Sequence, residues 1–465
     1  MKKFGLGLLM SLIAVSLVFA NGQQGGGKSG GAGSKGDMHG MEVIIGNWWE
    51  NYDTNDEAAL KAANLLDTTI AENNFEWRKE IQKDYNVHIV NKNIASWEEY
   101  FVLASQSIMA GEPNASIYQM QPDWAASMRK QNLLYPIGKT TSIDFSQKVG
   151  DQDWNAAATD AFTFGGVPYG VSLGIGQSAH VIGLFFNKRL LTEAGINPEA
   201  PYDMQKAGTW TWDAFLDMLK KTTRDTDNDG VMDTYGLVGR GNAHDLITGI
   251  IFSNDASFVT KDASGKFVNN TGTPEFLEAL QFCMKIAEEK VCKEQPSPDS
   301  AWNWWMDDFR AGAGAFVPYE EWWRNDLKDM KDDWGFVLMP KGPKAQDYAC
   351  VDYPNYLVIP STVSDEDANN IILAYALFNT PSPKNGDQAQ AWKTDLYPRY
   401  RDRRAVDETI AMIRDPKYAG IAYYKFIPGL EKGDITWSLM WDGVDPAQLI
   451  ESVSQKWNAT IAAAN

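Results

Sequence analysis

The stretch from Gly183 to Val238 constrains this chain more than any other, because it sets several elements in a fixed series. Leu184-Phe185-Phe186 is a short apolar run that reads as a buried strand, ended by Asn187-Lys188. Residues 189–194 then read as a short helix stopped by Gly195. Thr211 is placed as an N-cap for a helix over 212–223, where Phe215, Leu216 and Leu219 recur at helical spacing. The series closes on Asp225-Thr226-Asp227-Asn228-Asp229-Gly230-Val231-Met232-Asp233.

That last piece has a chemistry of its own. Asp225, Asp227 and Asp229 stand at the first, third and fifth places of a tight loop, and Gly230 stands where a sharp turn needs a residue free of Cβ strain. The Val231 carbonyl and the Asp233 carboxylate are the next oxygens in line. Hard oxygens converging on a short loop suit calcium, and clustered carboxylates repel one another without a cation. The bidentate Glu of a full EF-hand is missing, since Gly236 occupies its place. The expectation is one structural Ca2+ on this loop; the alternative is an acidic turn that caps a helix and is solvated.

The order of these pieces resembles the family 1 extracellular solute-binding proteins, the sugar-capture components of ABC importers, whose best-known member is the maltose-binding protein. The resemblance rests on Phe186-Asn187-Lys188, the helix ending Ala194-Gly195-Ile196, Thr209-Trp210-Thr211-Trp212, the D-x-D-x-D-G-x-x-D loop and Tyr235-Gly236-Leu237. Gly165-Gly166-Val167-Pro168-Tyr169-Gly170 is similar to the family's G-K-x-Y-G run, and Met339-Pro340-Lys341-Gly342-Pro343 to its L-P-x-G-P turn. Two local matches are weaker. Gly111-Glu112-Pro113-Asn114 lacks the family's Asp, and Asn132-Leu133-Leu134-Tyr135-Pro136 lacks its Gly.

The resemblance implies an α/β, two-lobed periplasmic-binding-protein fold with a ligand cleft between the lobes. Lobe one would hold 41–169 and 344–403; lobe two would hold 170–343 and 404–465. It implies capture of a carbohydrate, an oligosaccharide by preference, by hinge closure, with delivery to a membrane permease. No bond is broken in that reading, and a monomer is expected. By position, Trp322 matches the sugar-stacking Trp of the maltose-binding relative, and Trp441 its second one.

Ahead of the folded part, residues 1–20 read as a cleaved secretory signal: Lys2 and Lys3, an apolar run, then Val18-Phe19-Ala20. No cysteine follows the run, so a lipid anchor lacks its attachment atom, and a periplasmic location is expected. Residues 21–40 are rich in Gly, Ser, Gln and Lys and read as a flexible spacer. Roughly 425 residues remain, more than one core usually supports, so two lobes are expected on length as well. A net charge of −19 disfavours nucleic acid and anionic membrane as ligands. Three cysteines, Cys283, Cys292 and Cys350, allow one disulfide at most. Cys283 and Cys292 are read onto one helix, too far apart to bridge, so free buried thiols are expected.

Strands are expected at 41–46, 87–90, 115–120, 180–186 and 334–338. Helices are expected over 57–84, 97–110, 125–131, 274–290, 302–310, 365–378, 408–414 and 448–463. Open α/β sheets present ligand loops at the C-terminal ends of their strands. From lobe one this selects Trp48, Trp49 and Asn51, then Gln119, Gln121, Asp123 and Trp124. From lobe two it selects Tyr319, Glu320 and Trp322, with Trp437 and Trp441 near the end of the chain and Tyr353 at a crossing. Eighteen tryptophans is a high count. Most should be core, but neighbours on a strand face opposite sides, so one of each adjacent pair is a candidate for a cleft wall.

Enzymatic signatures fail in turn. Gly174-Ile175-Gly176-Gln177-Ser178-Ala179 fits a dinucleotide fingerprint in letters but precedes a strand rather than a helix. The four histidines form no metal-ligand spacing, and His180 and His244 read as ordinary surface or cleft residues. Glu320-Glu321 could suggest a glycosidase or lyase, which needs two carboxyls facing one bond. A polysaccharide-active enzyme, or a binder of a non-sugar solute on the same fold, remain the alternatives.

Overall fold

The computed structural model describes residues 36–49, 53–63, 65–150, 152–174, 180–239, 243–297, 299–301 and 303–465, the side chains of 243, 388, 389, 391 and 441 excepted. The signal and most of the spacer therefore lie outside the described residues, as do Asn51, Trp302, residues 175–179 and the Trp441 side chain.

Alternating apolar runs build a first sheet in the order Tyr356–Val358, Ile117–Met120, Met41–Asn47, Val87–Asn93. Met41–Asn47 runs parallel to both neighbours, with Ile45 opposite Ile117 and Met41 opposite Val87. Val43, Ile45 and Ile89 alternate into the core. The helices Thr69–Tyr85 and Asp365–Phe378 pack on this sheet, each started by a side-chain cap, Thr68 and Ser364 respectively.

The second sheet runs Trp334–Leu338, Ile182–Asn187, Gly314–Glu320, Tyr235–Leu237. Every residue of Ile182–Asn187 and of Trp334–Leu338 is buried, which is why these strands read as unbroken apolar runs rather than alternating ones. The helix Trp212–Thr222 covers it, and the Thr211 hydroxyl accepts from the Ala214 amide at 3.4 Å as its N-cap. The chain passes between the sheets more than once. Val171 bridges to Leu357, and Cys350–Asp352 pairs in parallel with Ala419–Ile421.

Several expectations shift. The region 57–84 is two helices, Glu57–Ala62 and Thr69–Tyr85, because Asp56 and Thr68 each cap a fresh start. Cys292 is not on the helix of Cys283, which ends at Glu288. All three cysteines are buried and stand outside any disulfide. The expected helix at 408–414 is a π-helical turn, Ala405–Ile410, running into Ala411–Ile413. A helix over Gly433–Trp441 was not anticipated; it starts at Lys432 without a side-chain cap and so carries no start signal. No helix among the described residues is long and apolar enough to cross a membrane.

Candidate functional site

The first candidate wall grows from the C-terminal end of Met41–Asn47. Asn47 is fully buried, and its side-chain oxygen accepts from the Trp49 amide at 2.9 Å while its amide donates to Asn91 at 2.8 Å. This fixes the turn that throws two indoles out of the strand. Trp48 packs edge-on against Trp49, Tyr100 and Trp124, with centroids 4.7, 5.2 and 5.3 Å away. Trp49 remains 44% exposed. Gln121 precedes the helix Pro122–Lys130, which places Asp123 and Trp124 in its first turn. One oxygen of Asp123 is buried without a partner, and burial raises its pKa against the pull of Lys425.

The second wall grows from the end of Gly314–Glu320. Glu320 lies opposite Ile182 in the antiparallel register, which brings His180 beside it. One oxygen of Glu320 takes two partners: His180 Nδ1 at 2.9 Å, and the Trp322 indole N–H, which donates to it at 2.6 Å. His180 stacks on Tyr353 at 4.9 Å, and the Lys425 ammonium sits over the same tyrosine ring at 4.2 Å. Burial works against an imidazolium here, yet Glu320, with Asp352 adding, holds the His180 pKa above its ordinary value. Burial likewise opposes the Glu320 carboxylate, but His180 and the Trp322 indole hold its pKa below the ordinary value. Tyr319 packs on Trp305 and Trp322.

A cavity of about 670 Å³ opens between the first sheet and the turn that follows Gly314–Glu320. Trp49, Asn91 and Gln119 line it from the first sheet's strand ends; Glu321 and Arg324, just after Glu320, line it from the second. Glu321 accepts from the Tyr400 hydroxyl and pairs with Arg324. Asn355, on the crossing strand side, adds a buried side-chain oxygen with no partner.

Nearby, Trp437 on Gly433–Trp441 stands edge-on to His244 at 4.2 Å and is 40% exposed. His244 shares a hydrogen bond with Thr436, and burial, then Lys432 and Lys425, push its pKa down to about 4. The expected residues therefore converge as three groups: Trp48, Trp49, Asp123 and Trp124; Tyr319, Glu320, Trp322 and Tyr353; and Trp437. Of the expected residues that the structure describes, Trp49 and Gln119 line the cavity, whereas Trp48, Gln121, Asp123, Trp124, Tyr319, Glu320, Trp322, Tyr353 and Trp437 are not part of its lining. Asn51 and the Trp441 side chain lie outside the described residues.

The acidic loop is remote from these groups in sequence and follows Trp212–Thr222. Carboxylate oxygens of Asp225, Asp227 and Asp229 lie within 4.8 Å of one another. Gly230 takes φ +92°, a region that favours glycine, and its amide donates to Asp225 at 2.8 Å. Val231 is exposed. Asp233 stands apart from the three: its oxygen accepts from the Thr226 amide at 2.7 Å and from the Thr226 hydroxyl.

A family model described as bacterial extracellular solute-binding protein matches residues 68–380. The chain belongs to that family. A search of curated proteins finds no match. Among solved structures, this solute-binding protein is similar to a cyclic α-maltosyl-1,6-maltose binding protein of Arthrobacter globiformis. Identity is 17%, coverage 90% of this chain and 98% of the other, and the TM-score 0.60. It is also similar to an ABC substrate-binding protein of Listeria monocytogenes in complex with cycloalternan, at 16% identity, 91% and 99% coverage and TM-score 0.58. A cyclo/maltodextrin-binding protein complexed with maltotetraose aligns at 16% identity, 93% and 99% coverage and TM-score 0.59. At these identities the likeness fixes the fold: two α/β lobes with a cleft between them.

Lys425, Arg324 and Tyr400 are absent from the residues the sequence singles out. His180 and His244, which read there as ordinary surface or cleft residues, each meet an indole or its anchor. Lys425 and Tyr400 sit in stretches with no motif, and only the tertiary fold brings them to the cleft.

Proposed function

We propose that this solute-binding protein captures a carbohydrate, an oligosaccharide by preference, outside the cytoplasm and hands it to an ABC permease. The observation that supports this is the set of indoles at the strand ends, Trp49 and Trp437 exposed and Trp322 half-buried, together with a cavity that Trp49, Asn91 and Gln119 line on one side and Glu321 and Arg324 on the other. Indole faces suit the C–H faces of sugar rings, and fixed amides, carboxylates and guanidinium groups read hydroxyls. Closure of the two lobes about the crossings would enclose the ligand. Solved structures of the same fold hold cycloalternan and maltotetraose, which supports a saccharide over other solutes.

Capture without chemistry is part of this proposal. Overnight incubation with a bound oligosaccharide, followed by chromatography, should return it unchanged; hydrolysis or elimination products would make the protein an enzyme. Export with cleavage after Ala20, and action as a monomer, belong to the same reading. N-terminal sequencing of exported protein should begin at Asn21.

We also propose that the loop at Asp225, Asp227 and Asp229, with the Val231 carbonyl and Asp233, binds one structural Ca2+ away from the sugar. The convergence of three carboxylates on a turn built around Gly230 supports it. To join them, Asp233 would exchange its Thr226 partner for the ion.

A further inference from the structure

We propose that His180 is a positioning residue for ligand capture: seated on the Tyr353 ring, it holds the Glu320 carboxylate, and Glu320 in turn sets the orientation of the Trp322 indole. The inference rests on Trp322 forming part of the cleft wall, as argued above, and assigns a cause to its orientation.

Adjacent tryptophans show why an anchor is needed. Trp323 is fully buried and gripped by Phe185, Trp305 and Phe309, with centroids 5.4 to 5.8 Å away. Trp322 is half-buried and meets the Tyr319 ring at 5.4 Å. Its indole edge is tied by the 2.6 Å hydrogen bond to Glu320 Oε2. The same oxygen faces His180 Nδ1 at 2.9 Å, so one atom couples the imidazole to the indole. A carboxylate buried this deeply needs a cationic partner, and losing it leaves a buried charge that must turn away or take a proton. Either event slackens the bond to Trp322.

The charged groups that face this unit are few and named. His180 meets Glu320, Asp352 and Lys425; Glu320 meets His180 and Lys425. The Tyr319 and Tyr424 hydroxyls feel the Glu320 charge, and Asp123 and Asp245 approach through Tyr424. Lys425 lies over Tyr353 rather than on the carboxylate, so it does not replace the imidazolium as the hydrogen-bonding partner. The indole is held best in the window where Glu320 is ionised and His180 is protonated. It loosens as pH rises through the His180 pKa.

The test needs no ligand, so its failure is distinct from failure of the carbohydrate reading. In the full chain, the indole N–H proton resonance of Trp322, assigned by its loss in Trp322→Phe, and the His180 ring resonances are followed by NMR from pH 5 to 9. The expected result is one shared midpoint above the ordinary histidine value. In His180→Asn, which keeps a donor near Nδ1 but cannot titrate, the Trp322 resonance should stay flat across that range. In Glu320→Gln the His180 midpoint should fall. A wild-type Trp322 resonance that ignores pH, or one that still titrates in a folded His180→Asn, would overturn the proposal. Should a variant fail to fold, the coincidence or separation of the two wild-type midpoints decides alone.

Discussion

The two proposed walls of the cleft hold their indoles by different physics. On the first wall Trp48, Trp49, Tyr100 and Trp124 brace one another ring against ring, with a buried Asn47 fixing the turn beneath them. On the second wall Trp322 is tied through its N–H to a carboxylate that answers to a histidine, and Trp437 leans on another histidine. Ring packing is indifferent to pH. A hydrogen bond to a paired charge is not. On the proposal above, the first wall is a fixed surface and the second an adjustable one.

The sharpest way to break this contrast lies beside it, at Trp323. Trp323→Ala should lose about 3–5 kcal/mol of stability in urea unfolding, as for other buried aromatic truncations. Trp322→Ala should unfold near the wild-type midpoint, while weakening saccharide binding by roughly tenfold to a hundredfold, since a stacked indole contributes on the order of 1–3 kcal/mol. Equal stability losses at the two positions would erase the distinction between wall and core. Trp48→Ala should weaken binding by roughly tenfold, the lower end of that range. Its loss should be the same at pH 6 and pH 8, whereas the wild-type indole of the second wall slackens over that interval. A pH-dependent penalty at Trp48 would count against ring packing as its support.

A smaller effect concerns His244. Its pKa falls on folding from about 6.5 to about 4, so below pH 6.5 the unfolded chain takes up a proton that the folded one refuses. Stability should decline as pH falls from 6.5 towards 4 and be insensitive to this group above 6.5. His244→Gln should flatten that part of a melting-temperature profile; an unchanged slope would remove His244 as its cause. The smallest effect is expected at the Asp225 loop, whose hydrogen bonds described above stay within the loop. Chelator should lower the melting temperature modestly and leave saccharide affinity unaltered, and excess calcium should restore it. Identical melting curves in chelator and calcium would remove the metal from the account.

Much of this architecture was legible in the residues. Trp334–Leu338 and Asp365–Phe378 were readable to the residue, since one is an unbroken apolar run and the other begins after a capping Ser364. Trp322 and Trp323 differ in burial, but both lie on the 3-10 turn Glu321–Leu327 rather than on a strand, so the pair rule for adjacent tryptophans does not apply to them and the choice of Trp322 rests on the family resemblance. Nor does that rule describe Trp304 and Trp305, which lie on a helix and are both buried. Asp123 and Glu320 were legible as candidates, but the charged partners that hold them were not. His180 reaches Glu320 across 140 positions of sequence, and Lys425 reaches Tyr353 from a 3-10 turn with no signature. Pairings of that kind are products of sheet register and chain crossing, which periodicity does not encode.

The central claim is that a saccharide occupies this cleft against Trp322. A thermal-shift screen of linear and cyclic oligosaccharides, run on the wild type and on Trp322→Ala side by side, tests it most directly. The account predicts at least one saccharide that raises the wild-type melting temperature, with that rise largely lost in a variant whose own unliganded melting temperature is close to wild type. A saccharide whose stabilisation survives intact in Trp322→Ala, or a screen in which only non-sugar solutes stabilise the protein, would contradict it.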